Sequence, residues 1–460
     1  MQATFPLFAP PEAGDLPALI DGDAAAGTML THAALWAEAA RLAAVWPAPP
    51  RCVTVLAAGW SPGFVVAYMA ALMAGQAVCL SDPARDGRDV AARLRAEVVV
   101  RDAAPGDVGP LPGLAFDVAD AIGEPVHPDL AVLLPTSGST GSPRLVRLSA
   151  QGLRTNTADI VAALGLSARE RAVGHLMPWY SYGLSVLNSH LAAGGSVVVT
   201  RRGPLDAGFW DMVRATEATT LPGVPFHYQM LRRFDLAALD VPALATLTQA
   251  GGRLDPRLVG HFAQAMAARG GRFVVMYGQT EAGPRIAVHA GPEVAEAPGA
   301  VGRPLAHVAL AIERADGAAA APGEVGEVVV RGPAVMMGYA ETRADLAAGD
   351  SLGGVLRTGD QGSLDAAGLL TLAGRKARFA KLFGLRLDLG AIEAAVEAPT
   401  VAVEKGERLI LLTEGAAEDA RRAVVALTGL TPAVVVARSV DALPRLPNGK
   451  IDLRGAEALA

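Results

Sequence analysis

Helix and strand patterns alternate through the first two-thirds of the chain, and that alternation calls for layered α/β structure. Thr31 can cap a helix through Leu35 and Leu42. Residues 53–58 read as a buried strand, and 64–73 as a helix that Gly75 ends. Residues 131–135 and 145–148 read as strands on either side of a Gly/Ser/Thr loop. Residues 196–200 read as another strand. Residues 244–250, a helix from Pro256, and residues 273–277 form a strand–helix–strand run. After about residue 300 strands with glycine turns dominate, as in Gly326-Glu327-Val328-Val329-Val330-Arg331-Gly332. From 376 onward the pattern is a small α+β unit, with a strand pair near 382–389 and 409–412 and a helix near 417–427. The expected fold class is α/β: a large N-terminal domain over residues 1–375, of layered α/β subdomains plus a β-rich subdomain, then a small α+β C-terminal domain over 376–460.

At 460 residues, 51% of them hydrophobic, the chain can bury a large core and exceeds one ordinary domain. A net charge of −6 gives no footprint for nucleic acid or an anionic membrane. Cys52 and Cys79 are the only cysteines, which offers no disulfide framework and fits a reducing cytoplasm. The N-terminus lacks a basic stretch followed by an apolar run, and apolar runs are short, so neither signal peptide nor membrane span is expected. Lysine occurs four times, at Lys376, Lys381, Lys405 and Lys450, while arginine is common throughout. A lysine kept in such a chain asks for a compact point charge where arginine would bring a wide planar fork.

Three patterns could carry chemistry. Residues 136–144, between two strands, can turn backbone N–H groups and hydroxyls inward as a nest for phosphate oxygens, with Arg144 adding charge. An ordinary polar hairpin fits this loop equally well when it is taken alone. It is not a Walker loop, because no Gly-Lys-Ser/Thr follows and the next element is a strand. The second pattern, Gly59-Trp60-Ser61-Pro62-Gly63, matches a hydrolase nucleophile elbow. That mechanism needs the N–H after the serine, and Pro62 has none; Ser61 as helix cap with Pro62 at the first helical position reads better. The third would be a metal site, but the eight histidines are scattered and lack metal-ligand spacing. Any metal is expected to be magnesium that arrives with a nucleotide.

The loop has company further along. Thr136-Ser137-Gly138-Ser139-Thr140-Gly141-Ser142-Pro143-Arg144, Tyr277-Gly278-Gln279-Thr280-Glu281, Arg357-Thr358-Gly359-Asp360, Gly374-Arg375 with Lys381, Gly384, Arg386 and Glu393, and Pro444-Arg445-Leu446-Pro447-Asn448-Gly449-Lys450-Ile451-Asp452 occur in that order. Together they resemble the signature motifs of the adenylate-forming superfamily of acyl-CoA synthetases, peptide-synthetase adenylation domains and luciferases. The motifs span nearly the whole chain.

The resemblance implies an AMP-forming acid–thiol ligase and assigns roles. The 136–144 loop would hold the β- and γ-phosphates of ATP. Thr280 would meet the α-phosphate, and Glu281 would help bind Mg2+. Tyr277, Gly278 and the Gly251-Gly252-Arg253 segment would flank adenine. Asp360 would accept from the ribose hydroxyls with Arg375 nearby, and Lys450 would reach the α-phosphate and the substrate carboxylate. The C-terminal domain is expected to rotate after adenylation, with Gly384 letting a phosphopantetheine thiol pass close to backbone. Two departures stand out: Arg144-Leu145 replaces the usual lysine–glycine, and Ala377 occupies the hinge position.

The aromatic segment around Tyr180, Tyr182 and Gly183, with Val224, Phe226 and His227, would border the acid pocket. No aspartate there matches the amino-group anchor of peptide-synthetase domains, which favours an acyl over an amino-acyl substrate. The chain ends ten residues after Lys450, so the acceptor is expected in trans, as coenzyme A or a separate carrier protein. An amino-acid-activating enzyme and a non-catalytic nucleotide- or acyl-binding homologue stay open as alternatives.

Overall fold

The computed structural model describes residues 14–24, 28–85, 87–107, 109–136, 144–236, 239–375, 379–382, 385–446 and 451–460. It has two compact units, one of residues 1–310 and 330–356 and the other of 311–329 and 357–460.

The first unit is built on two sheets. One, of seven strands, includes β1 (Val53–Ala57), β2 (Ala77–Leu80), β3 (Val98–Asp102), β4 (Leu130–Pro135) and β5 (Leu145–Ser149). Strands β4, β2, β1 and β3 run parallel in that order. Strand β5 returns antiparallel to β4, so the 136–144 loop joins two hydrogen-bonded neighbours. The helix α1 (His32–Ala44) starts at Thr31, whose side chain accepts from Ala34 N–H. Helix α2 (Pro62–Met73) starts at Ser61, whose hydroxyl accepts from Phe64 N–H at 3.2 Å, with Pro62 in the first turn. Ser61 is therefore a cap, and the nucleophile-elbow pattern is a helix start.

The second sheet holds β6 (Arg171–Gly174), β7 (Ser196–Val199), β8 (Thr220–Gly223), β9 (Thr246–Gln249) and β10 (Arg272–Tyr277). The order β7-β6-β8-β9-β10 is parallel throughout. Such strands are covered on both faces and read as continuous apolar runs. Helices α3 (Ala150–Leu164), α4 (Ser181–Ala192), α5 (Pro225–Leu231) and α6 (Pro256–Ala268) connect or cover them. In the core, the Tyr228 ring meets Phe262 at 5.0 Å and Phe273 at 5.1 Å, both edge-on. Strand β11 (Gly338–Ala340) returns to the first sheet beside β5.

The second unit contains, from Arg357 on, the antiparallel pair Val355–Leu364 and Leu370–Arg375 and a small α+β body after residue 379. In that body Thr400–Lys405 pairs antiparallel with Arg408–Thr413, and Val435–Ser439 adds parallel. The expected pairing of 382–389 with 409–412 is corrected here. The Phe379–Leu382 strand forms its own hairpin with Leu385–Asp388. Arg408–Thr413 takes its near neighbour through a tight turn at Gly406, where φ is +62°. Alternation then sends Ala402, Leu409 and Leu411 to one face against Ala420 and Val424. Val401, Val403, Ile410 and Leu412 face Leu443 and Ala456 on the other. Among the described residues no helix is long and apolar enough to cross a membrane.

Candidate active site

Strands β6, β8, β9 and β10 all end at one edge of the second sheet, where open parallel sheets bind ligands. The turn after β10 is Tyr277-Gly278-Gln279, then a 3-10 turn Thr280–Ala282. A Cβ on Gly278 would lie 2.1 Å from the Pro284 carbonyl oxygen, so this tight turn admits glycine alone. It delivers Thr280 against the start of α4, where Thr280 Oγ1 and Ser181 Oγ lie 3.0 Å apart. The N-terminus of α4 has no side-chain cap, which leaves its positive end for an anion or solvent.

Glu281 follows on the same turn. Tyr339 Oη donates to Glu281 Oε1 at 3.0 Å. Tyr339 sits on β11 opposite Val146 of β5, and the Arg144 guanidinium carbon lies 4.1 Å from its ring centroid. At the loop's base, Thr136 N–H and Oγ1 both donate to the Arg144 carbonyl, at 3.0 and 3.2 Å. A cation and an acidic residue are thus joined through one tyrosine. Ser137, Gly138, Ser139, Thr140 and Gly141 lie outside the described residues, as do Gly384 and Lys450.

Gly251 has φ +85°, and a Cβ there would lie 2.2 Å from Tyr180 Oη. Gln249 Nε2 donates to the Gly252 carbonyl at 2.8 Å and holds the turn; Arg253 is exposed. Tyr180 is half-buried beside this turn, and burial, with Tyr182 adding, pushes its phenol well above the usual range.

The other aromatic-segment positions are core. Tyr182 is 2% exposed, and its hydroxyl is engaged by Thr248, 2.8 Å from Oγ1. A Cβ on Gly183 would sit 2.3 Å from the Leu176 and Met177 carbonyl oxygens, so this glycine serves close packing of α4. Val224 is fully buried, whereas Phe226 and His227 are half-buried on α5. Burial pushes the His227 imidazole down to about 4.

Three residues here escaped the sequence reading: Tyr339, His175, which directly follows β6, and Arg285. Arg285 is 1% exposed. Its guanidinium donates to Ser185 Oγ, and it lies 5.0 Å from the Tyr182 ring centroid. Burial pushes it down to about 10. An arginine four residues beyond the Tyr277–Glu281 motif looks like a surface charge in sequence; only the fold shows it as core.

In the second unit, Gly359 has φ +71° and turns the chain so that Thr358 Oγ1 accepts from Asp360 N–H at 3.0 Å. Thr358 in turn donates to the Val328 carbonyl at 2.8 Å. Asp360 is 6% exposed and stands opposite Arg375 in the strand register. Arg357 is tied to Glu313 and Glu327.

No group of three or more His, Cys, Asp or Glu able to hold a metal exists among the described residues. A lone, oriented carboxylate such as Glu281 still fits magnesium, which keeps most of its water and takes one or two carboxylates plus phosphate oxygens.

A family model described as AMP-binding enzyme matches residues 9–340. The chain is 33% identical over 246 residues to the indoleacetate–CoA ligase of Aromatoleum aromaticum, covering 52% of this chain and 46% of that protein. It is 32% identical over 261 residues to the long-chain-fatty-acid–CoA ligase of Bacillus subtilis, covering 55% and 45%. It is 30% identical over 362 residues to novobiocin biosynthesis protein H of Streptomyces niveus, covering 71% and 57%. The chain spans about half the length of the curated relatives it matches. Among solved structures, the AMP complex of O-succinylbenzoate coenzyme A synthetase from Bacillus subtilis aligns with TM-score 0.74 at 21% identity, over 95% of this chain and 94% of that one. ATP-bound MatB from Rhodopseudomonas palustris aligns with TM-score 0.77 at 21% identity, over 98% and 97%. These likenesses show a shared fold. The family model covers well over half of the residues, and the chain belongs to the AMP-binding enzyme family.

Proposed function

We propose that this chain activates a carboxylic acid with ATP and then passes the acyl group to a phosphopantetheine thiol. The observation that carries the reading is the chain of contacts Arg144–Tyr339–Glu281 beside the Thr280–Ser181 pair. It gathers a cation, an acid and two hydroxyls at the sheet edge where a nucleoside triphosphate would lie.

In the first half-reaction a carboxylate oxygen of the acid attacks the α-phosphorus, the bond to the bridging oxygen breaks, and pyrophosphate leaves. Arg144, with the 136–144 loop, would hold the β- and γ-phosphates. Thr280 would donate to an α-phosphate oxygen, and Tyr277, Gly278 and the Gly251-Gly252-Arg253 turn would flank the base. Magnesium, held by Glu281, would supply charge neutralisation on the phosphate oxygens. Asp360 would accept from the ribose hydroxyls, with Arg375 nearby. Lys450 would offset charge between the two anions that must meet. In the second half-reaction the thiol attacks the acyl carbonyl and AMP leaves. Residues 376–460 would act as the lid that exchanges these two states, with Gly384 lining the thiol's approach.

The coenzyme A ligase names of two relatives support coenzyme A as the acceptor; a separate carrier protein is the other thiol source. The cysteine usage supports a cytoplasmic setting. Exchange of labelled pyrophosphate into ATP across a panel of acids tests the reading. Acid-dependent exchange is expected, followed by thioester formation with coenzyme A. ATP binding without exchange for any acid would make the chain a non-catalytic homologue.

A further inference from the structure

His175 is 7% exposed, and among the described residues neither ring nitrogen makes a hydrogen bond of good geometry, the Val173 backbone offering a weak contact. Leaving such a group without a full partner in the interior is unfavourable, and an apolar residue of similar shape would avoid that cost. The ring packs edge-on against Phe209 with centroids 5.8 Å apart and lies 5.1 Å from the His227 ring.

The two histidines reach each other through the sheet. His175 directly follows β6, and His227 lies in the first turn of α5, after β8. Those strands are adjacent and parallel, with Ala172 opposite Thr220. Gly223 at the end of β8 is opposite Gln249 of β9, and Gln249 is opposite Val275 of β10. The pair therefore stands at the same sheet edge as Gly251 and Thr280, on the side of Val224 and Phe226.

Val224 N–H donates to His227 Nδ1 at 3.4 Å, which assigns the hydrogen of the neutral ring to Nε2. Burial holds His227 near 4. Burial, with His227 adding, holds His175 well below its ordinary value. Two neutral imidazoles offer donors and acceptors without charge, so they suit a hydroxyl and supply no counter-charge to a second carboxylate. The neighbouring Phe226 ring, 6.1 Å from His227, and Phe209 make the surroundings apolar.

We propose that the His175–His227 pair is the hydrogen-bonding end of the acid pocket, and that the acid activated here carries a hydroxyl group remote from its carboxylate. This rests on the acid-activating reading above. A site built to hydrogen-bond a hydroxyl discriminates strongly against the analogue without it, because its own polar groups are left unpaired.

Pyrophosphate exchange with matched acids tests it: para-hydroxycinnamate against cinnamate, and ω-hydroxyoctanoate against octanoate. In at least one pair the hydroxylated acid should be favoured roughly 10-fold or more in kcat/KM. That ratio should collapse toward unity in His175→Leu and His227→Leu and recover in part in His175→Gln. Exchange without hydroxyl preference in either pair, or a ratio that survives both leucine variants, overturns the assignment. If a variant fails to fold, the wild-type ratios and the remaining variant decide. Absence of exchange with every acid instead overturns the acid-activating reading itself, a distinguishable failure.

Discussion

Tyr339 holds Glu281: its phenol donates to Oε1 at 3.0 Å while its ring lies under the Arg144 guanidinium, 4.1 Å from centroid to carbon. The two ends of this arrangement belong to separate sequence motifs. The pairing of β11 with β5 and the Met336 N–H donated to the Glu281 carbonyl at 2.9 Å bring them together.

Tyr339→Phe separates the ring's two jobs. It keeps the stacking under Arg144 and removes the hydrogen bond to Glu281. A hydrogen bond to a charged group contributes about 1.5–3 kcal/mol, so pyrophosphate exchange should fall by roughly 10- to 100-fold. The magnesium concentration for half-maximal rate should rise while the melting temperature stays close to wild type. A magnesium titration that superimposes on wild type would separate Tyr339 from the reaction.

Gly278→Ala tests the turn that aims Thr280. The new Cβ would meet the Pro284 carbonyl oxygen at 2.1 Å and its carbon at 2.5 Å, and backbone cannot step aside as a side chain can. Overpacking of this kind costs about 1–3 kcal/mol or more. A lowered denaturation midpoint together with lost exchange is expected. Gly299→Ala, where nothing lies within 4 Å, is the control and should leave both unchanged. Wild-type exchange in Gly278→Ala would show that the turn tolerates displacement.

Some of this site was legible in the chain because its parts are consecutive. Tyr277 to Glu281 occupy one turn, and the cap at Ser61 is announced by Pro62 beside it. Tyr182 and Gly183 adjoin Tyr180 in sequence but stand inside α4, Tyr182 buried against Thr248 and Gly183 against the Leu176 and Met177 carbonyls. Tyr339 and the His175–His227 pair were beyond reach, since β-strand neighbours that far apart in sequence leave no local periodicity. Arg285 looks like surface charge until the fold buries it beside Ser185.

Acid should weaken the fold before the carboxylates titrate. Burial lowers both His190 and His227 from 6.5 to about 4, so the folded rings resist a proton that the unfolded chain accepts. Above the unfolded value both states are neutral and stability is flat. As pH falls from 6.5 toward 4 the unfolded state binds more protons, and each ring removes up to about 3 kcal/mol. Urea midpoints measured from neutral pH down to about pH 5 should fall steadily, and the slope should shrink in His190→Gln. Equal slopes in variant and wild type would mean that His190 is protonated in the folded protein.

Lys450 offers the sharpest division between the two half-reactions. Arginine serves nearly everywhere else as the cation in this chain, yet the proposed chemistry needs a point charge that fits between a carboxylate and an α-phosphate. Lys450→Ala should lower pyrophosphate exchange by about 100-fold or more, the scale of losing one charge-stabilising donor. Thioester formation from supplied acyl-adenylate should fall far less, because the thiol attacks the acyl carbonyl and no bond to phosphorus is made or broken in that step. Lys450→Arg should recover little, since the guanidinium is broad and planar. Equal losses in both half-reactions would assign Lys450 to the integrity of the C-terminal unit rather than to adenylation.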